Sequence, residues 1–231
     1  MMSTSSIEAP AGQSTTQWSE FERRELDRRR SRVAIYDAIA EGRARWVEQN
    51  RYYAEELCRL IGTMVLPGSR VLEVGCGLGD LLDSLPGVTG QGVDISPRMI
   101  ELARERHPRL DLSVCDVERD PLPEGPFDAI IFSDVVGHLD DIERALSRVR
   151  PLLAPGGRII VTYYNFVWEP VLKVAERLGR KTPWPDQNWL SMDDIENLLY
   201  LSGYQVVRRG TDILLPANVP VPVIYGALNI T

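Results

Sequence analysis

At 231 residues, 44% hydrophobic and 26% charged, the chain has an ordinary globular composition and the length of one domain with additions. A net charge of −7 argues against a broad phosphate-binding face, which needs clustered Lys and Arg. Cys58, Cys76 and Cys115 form neither a CxxC nor a Cys/His pair, which points away from a zinc site and toward buried thiols in a reducing compartment.

The first 18 residues, rich in Ser, Thr, Gln, Ala and Pro, are expected to be a disordered tail without the apolar core of a secretion signal. Residues 19–64 follow as an N-terminal helical cap, almost free of breakers, with apolar residues at Val33, Tyr36, Ile39 and Ala40, then at Trp46, Val47, Tyr53, Leu57, Leu60 and Ile61. Gly42 is a candidate break between two helices. The run from Arg23 to Arg30, interleaved with Glu20, Glu22, Glu25 and Asp27, predicts a solvated helix face laced with ion pairs rather than a nucleic-acid arm. Leu66-Pro67-Gly68-Ser69 is a turn opening a second unit, 65–231.

From there short apolar strands alternate with helices. Strands are predicted at Arg70–Val74, Gln91–Asp94, Leu110–Cys115, Ala129–Phe132, Arg158–Tyr163 and Tyr204–Arg208. Helices are predicted at Asp80–Leu85, Pro97–Arg106, Asp141–Leu153 and Met192–Leu201, with Ser96 capping the second, Asp140 or Asp141 the third, and Pro155-Gly156-Gly157 turning the third into a strand. Such alternation means parallel strands joined by right-handed crossovers, a three-layer αβα sandwich. Residues 163–190 interrupt it as an aromatic insertion with a predicted helix at Pro170–Leu178. The apolar stretch Ile213–Ile230 has no clear period. No apolar run approaches the ~20 residues of a membrane span, and a cytoplasmic setting is expected.

The densest chemical signal is Val71-Leu72-Glu73-Val74-Gly75-Cys76-Gly77-Leu78-Gly79-Asp80, a strand running into alternate glycines and then a helix. Backbone without Cβ atoms can turn this sharply, let a ligand lie against it and deliver that ligand to a helix N-terminus. Asp94 ends the second strand, where a carboxylate can accept from both hydroxyls of a ribose, and Asp116 ends the third, where it could accept from an adenine amino group. A nicotinamide dinucleotide site would instead place its third glycine inside the helix, as Gly-x-Gly-x-x-Gly.

The order Glu73-x-Gly75-x-Gly77-x-Gly79, Asp94, Cys115-Asp116-Val117, Phe127 to Asp134, then Leu152 to Val161 closely resembles class I S-adenosylmethionine-dependent methyltransferases over about residues 66 to 165. The resemblance implies their Rossmann-like fold and an enzyme using S-adenosyl-L-methionine. Glu73, Gly75, Cys76, Gly77 and Gly79 would cradle its methionine part, Asp94 with Ile95 its ribose, and Asp116 with Val117 its adenine. Ser133 and Tyr52, the latter with Tyr53 closing over the top, would complete the site. Cys76 is taken as a small loop residue, not a nucleophile. A further, looser likeness of Tyr163-Tyr164-Asn165…Trp168-Glu169-Pro170 and Gln187-Asn188-Trp189-Leu190-Ser191 is to a bacterial methyltransferase group from glycan and cell-envelope settings.

Methyl transfer needs a base only where the acceptor loses a proton. His138, in Ser133-Asp134-Val135-Val136-Gly137-His138, is either that base or a packed loop residue, with Asp134 and Tyr164 as further catalytic candidates. No metal is expected, although Asp134, His138, Asp140 and Asp141 are the set that could hold one. Aromatics beside Asn165, Gln187 and Asn188 suit a pocket stacking on a planar or sugar ring. The expected function is methylation of a small-molecule or glycan-type acceptor at oxygen by a monomer or homodimer. A non-catalytic S-adenosylmethionine-binding partner subunit, a protein or nucleic-acid methyltransferase and, last, a nicotinamide oxidoreductase are the alternatives.

Overall fold

The computed structural model describes residues 20–49, 51–163 and 188–210. The expected tail, the helix at Pro170–Leu178, Tyr164 and Ile213–Ile230 lie outside the described residues.

Five strands, β1 (Arg70–Val74), β2 (Thr89–Asp94), β3 (Asp111–Val114), β4 (Phe127–Ser133) and β5 (Leu153–Thr162), form one sheet in the order β3-β2-β1-β4-β5. All four neighbouring pairs are parallel. Parallel sheets are covered on both faces, so their strands bury alternate residues into two cores. Val71, Ala129 and Ile131 join one core with Leu57 and Ile61 of α2 (Arg51–Gly62), Leu82 of α3 (Asp80–Ser84) and Ile100 and Ala103 of α4 (Pro97–Arg106). Leu72, Val74, Ile130 and Phe132 face the other, with Ala145, Leu146 and Val149 of α5 (Ile142–Val149) and Ile195 of α6 (Met192–Leu201). Fully burying each such Val, Leu, Ile or Phe contributes about 1.5–3 kcal/mol before entropy is counted.

The helix starts are built locally. Ser96 accepts from the Met99 amide at 3.1 Å, and Asp141 accepts from the Arg144 amide at 2.9 Å. At α6, Ser191 and Asp194 form a reciprocal capping box. Asp140, the other candidate cap, pairs with Arg32 at 3.2 Å.

Three expectations are corrected. α1 (Glu20–Gln49) runs through Gly42, and α2 begins only at Arg51. One glycine costs a helix about 1 kcal/mol, too little to break it. The helix predicted to reach Leu153 ends at Val149, because Pro151 lacks the N–H of the next turn; a 3-10 turn, Arg150–Leu152, leads straight into β5. Pro155-Gly156-Gly157 therefore lies inside β5, in an irregularity where the register jumps from Phe127↔Leu153 to Ala129↔Arg158. Tyr204–Arg208 is not a strand. Tyr204 instead donates its amide to the Leu199 carbonyl and its hydroxyl to the Leu146 carbonyl, both at 2.9 Å, tying this segment to α5 and α6.

α1 crosses the carboxyl ends of the strands. Ala40 packs with Leu78 and Met99, Asp37 accepts from the Ser96 hydroxyl and the Arg98 amide, and Tyr36 meets His138 edge-on at 6.0 Å. None of the described helices is long and apolar enough to cross a membrane.

Candidate functional site

In an open α/β sheet the ligand crevice lies beyond the carboxyl ends of the strands, where strand order reverses. Here the order reverses at β1, between β2 and β4. The glycine turn sits at that point. Gly75, Gly77 and Gly79 all have positive φ, at 73°, 51° and 78°. Their tasks differ. A Cβ at Gly75 would stand 2.5 Å from Val135 Cγ2, whereas a Cβ at Gly77 would meet nothing within 4 Å. Gly75 is thus required by close packing, and Gly77 opens a space.

Asp94 organises the floor of this space. Its Oδ2 accepts from the Gly77 amide and its Oδ1 from the Ser96 amide, both at 2.9 Å, leaving a further lone pair on each oxygen. Burial raises its pKa, opposed by those two amides and by the Arg43 charge. Glu73 is 3% exposed, and its Oε2 has no hydrogen-bond partner. Burial holds its carboxyl well above the glutamate range, with Asp94 and Asp80 adding, against a backbone bond from Leu82. Leu82 is in the first turn of α3, whose N-cap Gly79 supplies no side-chain cap. Cys76 is buried, its thiol pushed well up by burial, as an inert loop residue should be. Ile95 is partly buried beside Asp94, and Val117 is buried in the core on the α5 side.

An orphaned buried carboxylate oxygen, an open space over Gly77 and a carboxylate with free acceptor capacity fit a ligand carrying an amine and vicinal hydroxyls. They fit S-adenosylmethionine in chemistry and in placement.

Asp116 lies in the loop after β3. Only 2% exposed, it accepts from the Glu118 amide through Oδ1 at 3.0 Å. Its Oδ2 lies 3.2 Å from Arg29, 3.8 Å from Arg32 and 3.8 Å from Arg119. These contacts are ionic rather than aligned hydrogen bonds, since Oδ2 has no hydrogen-bond partner. Arg29 also pairs with Asp120, Arg32 with Glu118 at 2.8 Å, and Arg119 with Glu25 at 3.0 Å. The inward side of the basic run is thus an anchor holding α1 to the loop after β3. Only its outward side, such as Arg24 with Glu20, is the expected solvated face.

On the other flank, Ser133 ends β4 paired with Thr162. Asp134 follows at φ 54°, the one non-glycine residue with positive φ among the described residues. Its amide donates to the Thr162 carbonyl at 3.0 Å and to Thr162 Oγ1 at 3.1 Å. Its Oδ1 accepts from Thr162 Oγ1 at 3.0 Å and its Oδ2 from the Tyr53 hydroxyl. Burial raises the pKa of Asp134, while Tyr53, Thr162 and Arg43 lower it. Tyr53 is 5% exposed and Tyr52 is 50% exposed, so of the two tyrosines it is Tyr53 that faces the crevice.

His138 ends a 3-10 turn, Val136–His138, under Tyr36, and its carbonyl accepts from Arg32 at 3.3 Å. Burial pushes the Tyr36 hydroxyl above the tyrosine range, opposed by Arg32, with Asp94 and Asp140 adding. Asn188 is used structurally: its amide donates to Gly137 O at 2.7 Å and its side chain to Leu139 O at 3.0 Å. His107 closes α4 against Asp80 at 2.9 Å. No group of three or more His, Cys, Asp or Glu among the described residues is arranged to hold a metal. Arg43 and Thr162 were missed by sequence reasoning; a lone Arg in a charged helix and a Thr at a strand end carry no local signal.

Residues 45–209 match the family described as Methyltransferase domain. The chain belongs to it, as a class I S-adenosylmethionine-dependent methyltransferase. It is 31% identical over 150 residues to the ubiquinone/menaquinone biosynthesis C-methyltransferase UbiE of Burkholderia orbicola, an alignment covering 60% of each chain. The chain thus spans about 60% of the length of the curated relatives it matches. In structure it resembles a Thermotoga maritima S-adenosylmethionine-dependent methyltransferase described as a possible histamine N-methyltransferase, with a TM-score of 0.64, 24% identity and coverage of 75% of this chain and 81% of that one. It also resembles the Haloferax volcanii methyltransferase in complex with the Trm112 methyltransferase activator, with a TM-score of 0.60, 22% identity and coverage of 73% and 75%. At these identities the two structures establish the fold.

Proposed function

We propose that this chain moves a methyl group from S-adenosylmethionine to a small-molecule acceptor, glycan-type compounds included, at an oxygen atom. The observation that carries this reading is the placement of two half-buried carboxylates, Asp94 and Asp134, at the ends of β2 and β4 on either side of the Gly75–Gly79 turn, both within reach of the charge of Arg43.

The donor supplies an electrophilic methyl on a sulfonium, so the chain's own work is alignment, exclusion of water and removal of a proton. Glu73 holds the amine of the amino-acid end over the open face of the glycine turn, Asp94 holds the ribose hydroxyls, and α1 with Tyr36 and Arg43 covers the crevice. Asp116 is read as the anchor of α1 rather than as an acceptor for adenine. Asp134 replaces His138 as the leading base, because its carboxylate is half-buried and held in place by two hydrogen bonds while His138 lies against Tyr36.

A second reading has support. The UbiE relatives are named C-methyltransferases, and an activated ring carbon, like a hydroxyl, sheds a proton when methylated. A transfer screen with labelled S-adenosylmethionine over sugar nucleotides, lipid-linked glycans, phenols, carboxylic acids and quinol-type rings separates the two. Label in a hydroxyl-bearing sugar or phenol as an acid-stable ether supports oxygen, and label in a ring carbon supports the second reading. Calorimetry that detects NADH but neither S-adenosylmethionine nor S-adenosylhomocysteine overturns both. The free cysteines Cys58, Cys76 and Cys115 agree with action in the cytoplasm, as monomer or homodimer.

A further inference from the structure

We infer that Tyr53 is a positioning residue for the transfer, its hydroxyl and that of Thr162 fixing Asp134 as proton acceptor, so that this unit is complete only when α2 packs against the end of β4. The inference rests on the functional reading above and adds the residues that make its base.

Three observations converge. Asp134 is held in a left-handed backbone conformation, which disfavours most L-residues and Asp less than others. Such conformations persist where the surroundings over-determine them, and here four hydrogen bonds do so, two to its amide and two to its carboxylate. The partners come from elements far apart in sequence, α2 and β5. Neither carboxylate bond is needed to close the sheet, because β4 and β5 are already paired through Ser133 and Thr162.

Tyr53 is itself held. Trp46 meets its ring edge-on at 6.2 Å, and Arg43 lies 4.3 Å above the ring of Trp46. Arg43, Tyr53 and Thr162 are the groups that act on the Asp134 carboxyl, from α1, α2 and β5. Arg43 acts on Asp94 as well. The charge of Arg43 therefore reaches the carboxylates of donor side and acceptor side alike.

The proton balance is simple. As an acceptor hydroxyl gains the methyl group, its oxygen lone pair forms the new C–O bond and the pair of the broken S–C bond stays on sulfur. The hydroxyl proton passes to Asp134, whose two oxygens each keep a lone pair beyond those used by Tyr53 and Thr162. Two hydrogen bonds aim this carboxylate and offset part of the rise in proton affinity that desolvation causes.

The test is a carbon-13 carboxyl NMR titration of the full chain with S-adenosylhomocysteine, the Asp134 signal being assigned by its loss in D134N. Tyr53→Phe should raise the Asp134 midpoint by about one pH unit, the size expected for one lost hydrogen bond to a charge. Its S-adenosylhomocysteine affinity should stay near that of the native chain. Incorporating 3-fluorotyrosine at position 53, the same shape with a stronger donor, should move the midpoint the other way. A midpoint unmoved by either replacement overturns the positioning role alone. Failure of the native chain to bind S-adenosylhomocysteine overturns the functional reading and the catalytic role of Asp134 with it.

Discussion

Gly75 and Gly77, two residues apart in one turn, separate packing from binding. Gly75→Ala drives a methyl group into Val135 on top of a left-handed backbone, so it should lower stability by about 2–4 kcal/mol in a urea titration. Gly77→Ala meets no neighbour and should cost only about 1–2 kcal/mol of stability, yet its methyl stands in the space over the turn. Calorimetry should then show S-adenosylhomocysteine binding weakened by about tenfold or more, which is roughly 1.4 kcal/mol. Equal cofactor affinity in Gly77→Ala and the native chain would place the ligand elsewhere. Asp94→Ala removes the acceptor of two backbone amides and of the ribose hydroxyls, and should weaken binding by about 1–3 kcal/mol in the same measurement.

Among the elements, α1 depends most on charge. Arg32 bridges it to Glu118 and Asp140, and Glu118, only 1% exposed, also accepts from the Asp141 amide at the start of α5. Arg32→Met leaves Glu118 and Asp116 buried with fewer counter-charges, a loss expected to cost about 3–5 kcal/mol. That free energy need not unfold the sheet, because α1 packs mainly on α4 and on the loops beyond the strands. The expected result is early proteolytic cleavage within residues 20–49, with the region from β1 to β5 still resistant. Simultaneous loss of both would mean that α1 and the sheet unfold as one unit.

For the whole molecule, the pH dependence of stability has a defined sign. Glu73, Asp94 and Asp134 all have pKa values raised by burial. Between the ordinary carboxylate range and those raised values the folded state binds more protons than the unfolded chain, so stability falls as pH rises through that window and returns below it. Glu73 is the strongest case. Glu73→Gln should flatten the decline in urea midpoint as pH rises above the ordinary glutamate range, while weakening S-adenosylhomocysteine binding. A native slope that is absent or reversed would show that Glu73 is not held protonated.

The central fold was legible where a pattern is local. Met192–Leu201, Pro97–Arg106 and Arg70–Val74 follow from caps, proline position and a five-residue apolar strand, and they form where expected. The glycine turn was legible because positive φ and close approach leave glycine as the usual solution. Reading failed where the deciding neighbour was remote. Gly42 could break a helix in isolation, but α1 is stabilised by its packing on α4. Tyr204–Arg208 has the composition of a strand, but its tyrosine is drawn to α5 and α6. The ion pairs of Arg29 and Arg32 with Asp116 likewise come from a distant helix, α1, and carry no local signal.

The sequence by itself therefore determined the sheet, the glycine turn and the class of donor, because each is specified by spacing along a few consecutive residues. Tertiary structure alone decided that Tyr53 rather than Tyr52 faces the crevice, that Asp134 is held by Thr162, and that Arg43 acts on both carboxylates. The physical reason is that a carboxylate's proton affinity and aim are set by burial and by partners about three ångströms away in space. For Asp134 those partners stand 81 and 28 positions away along the chain.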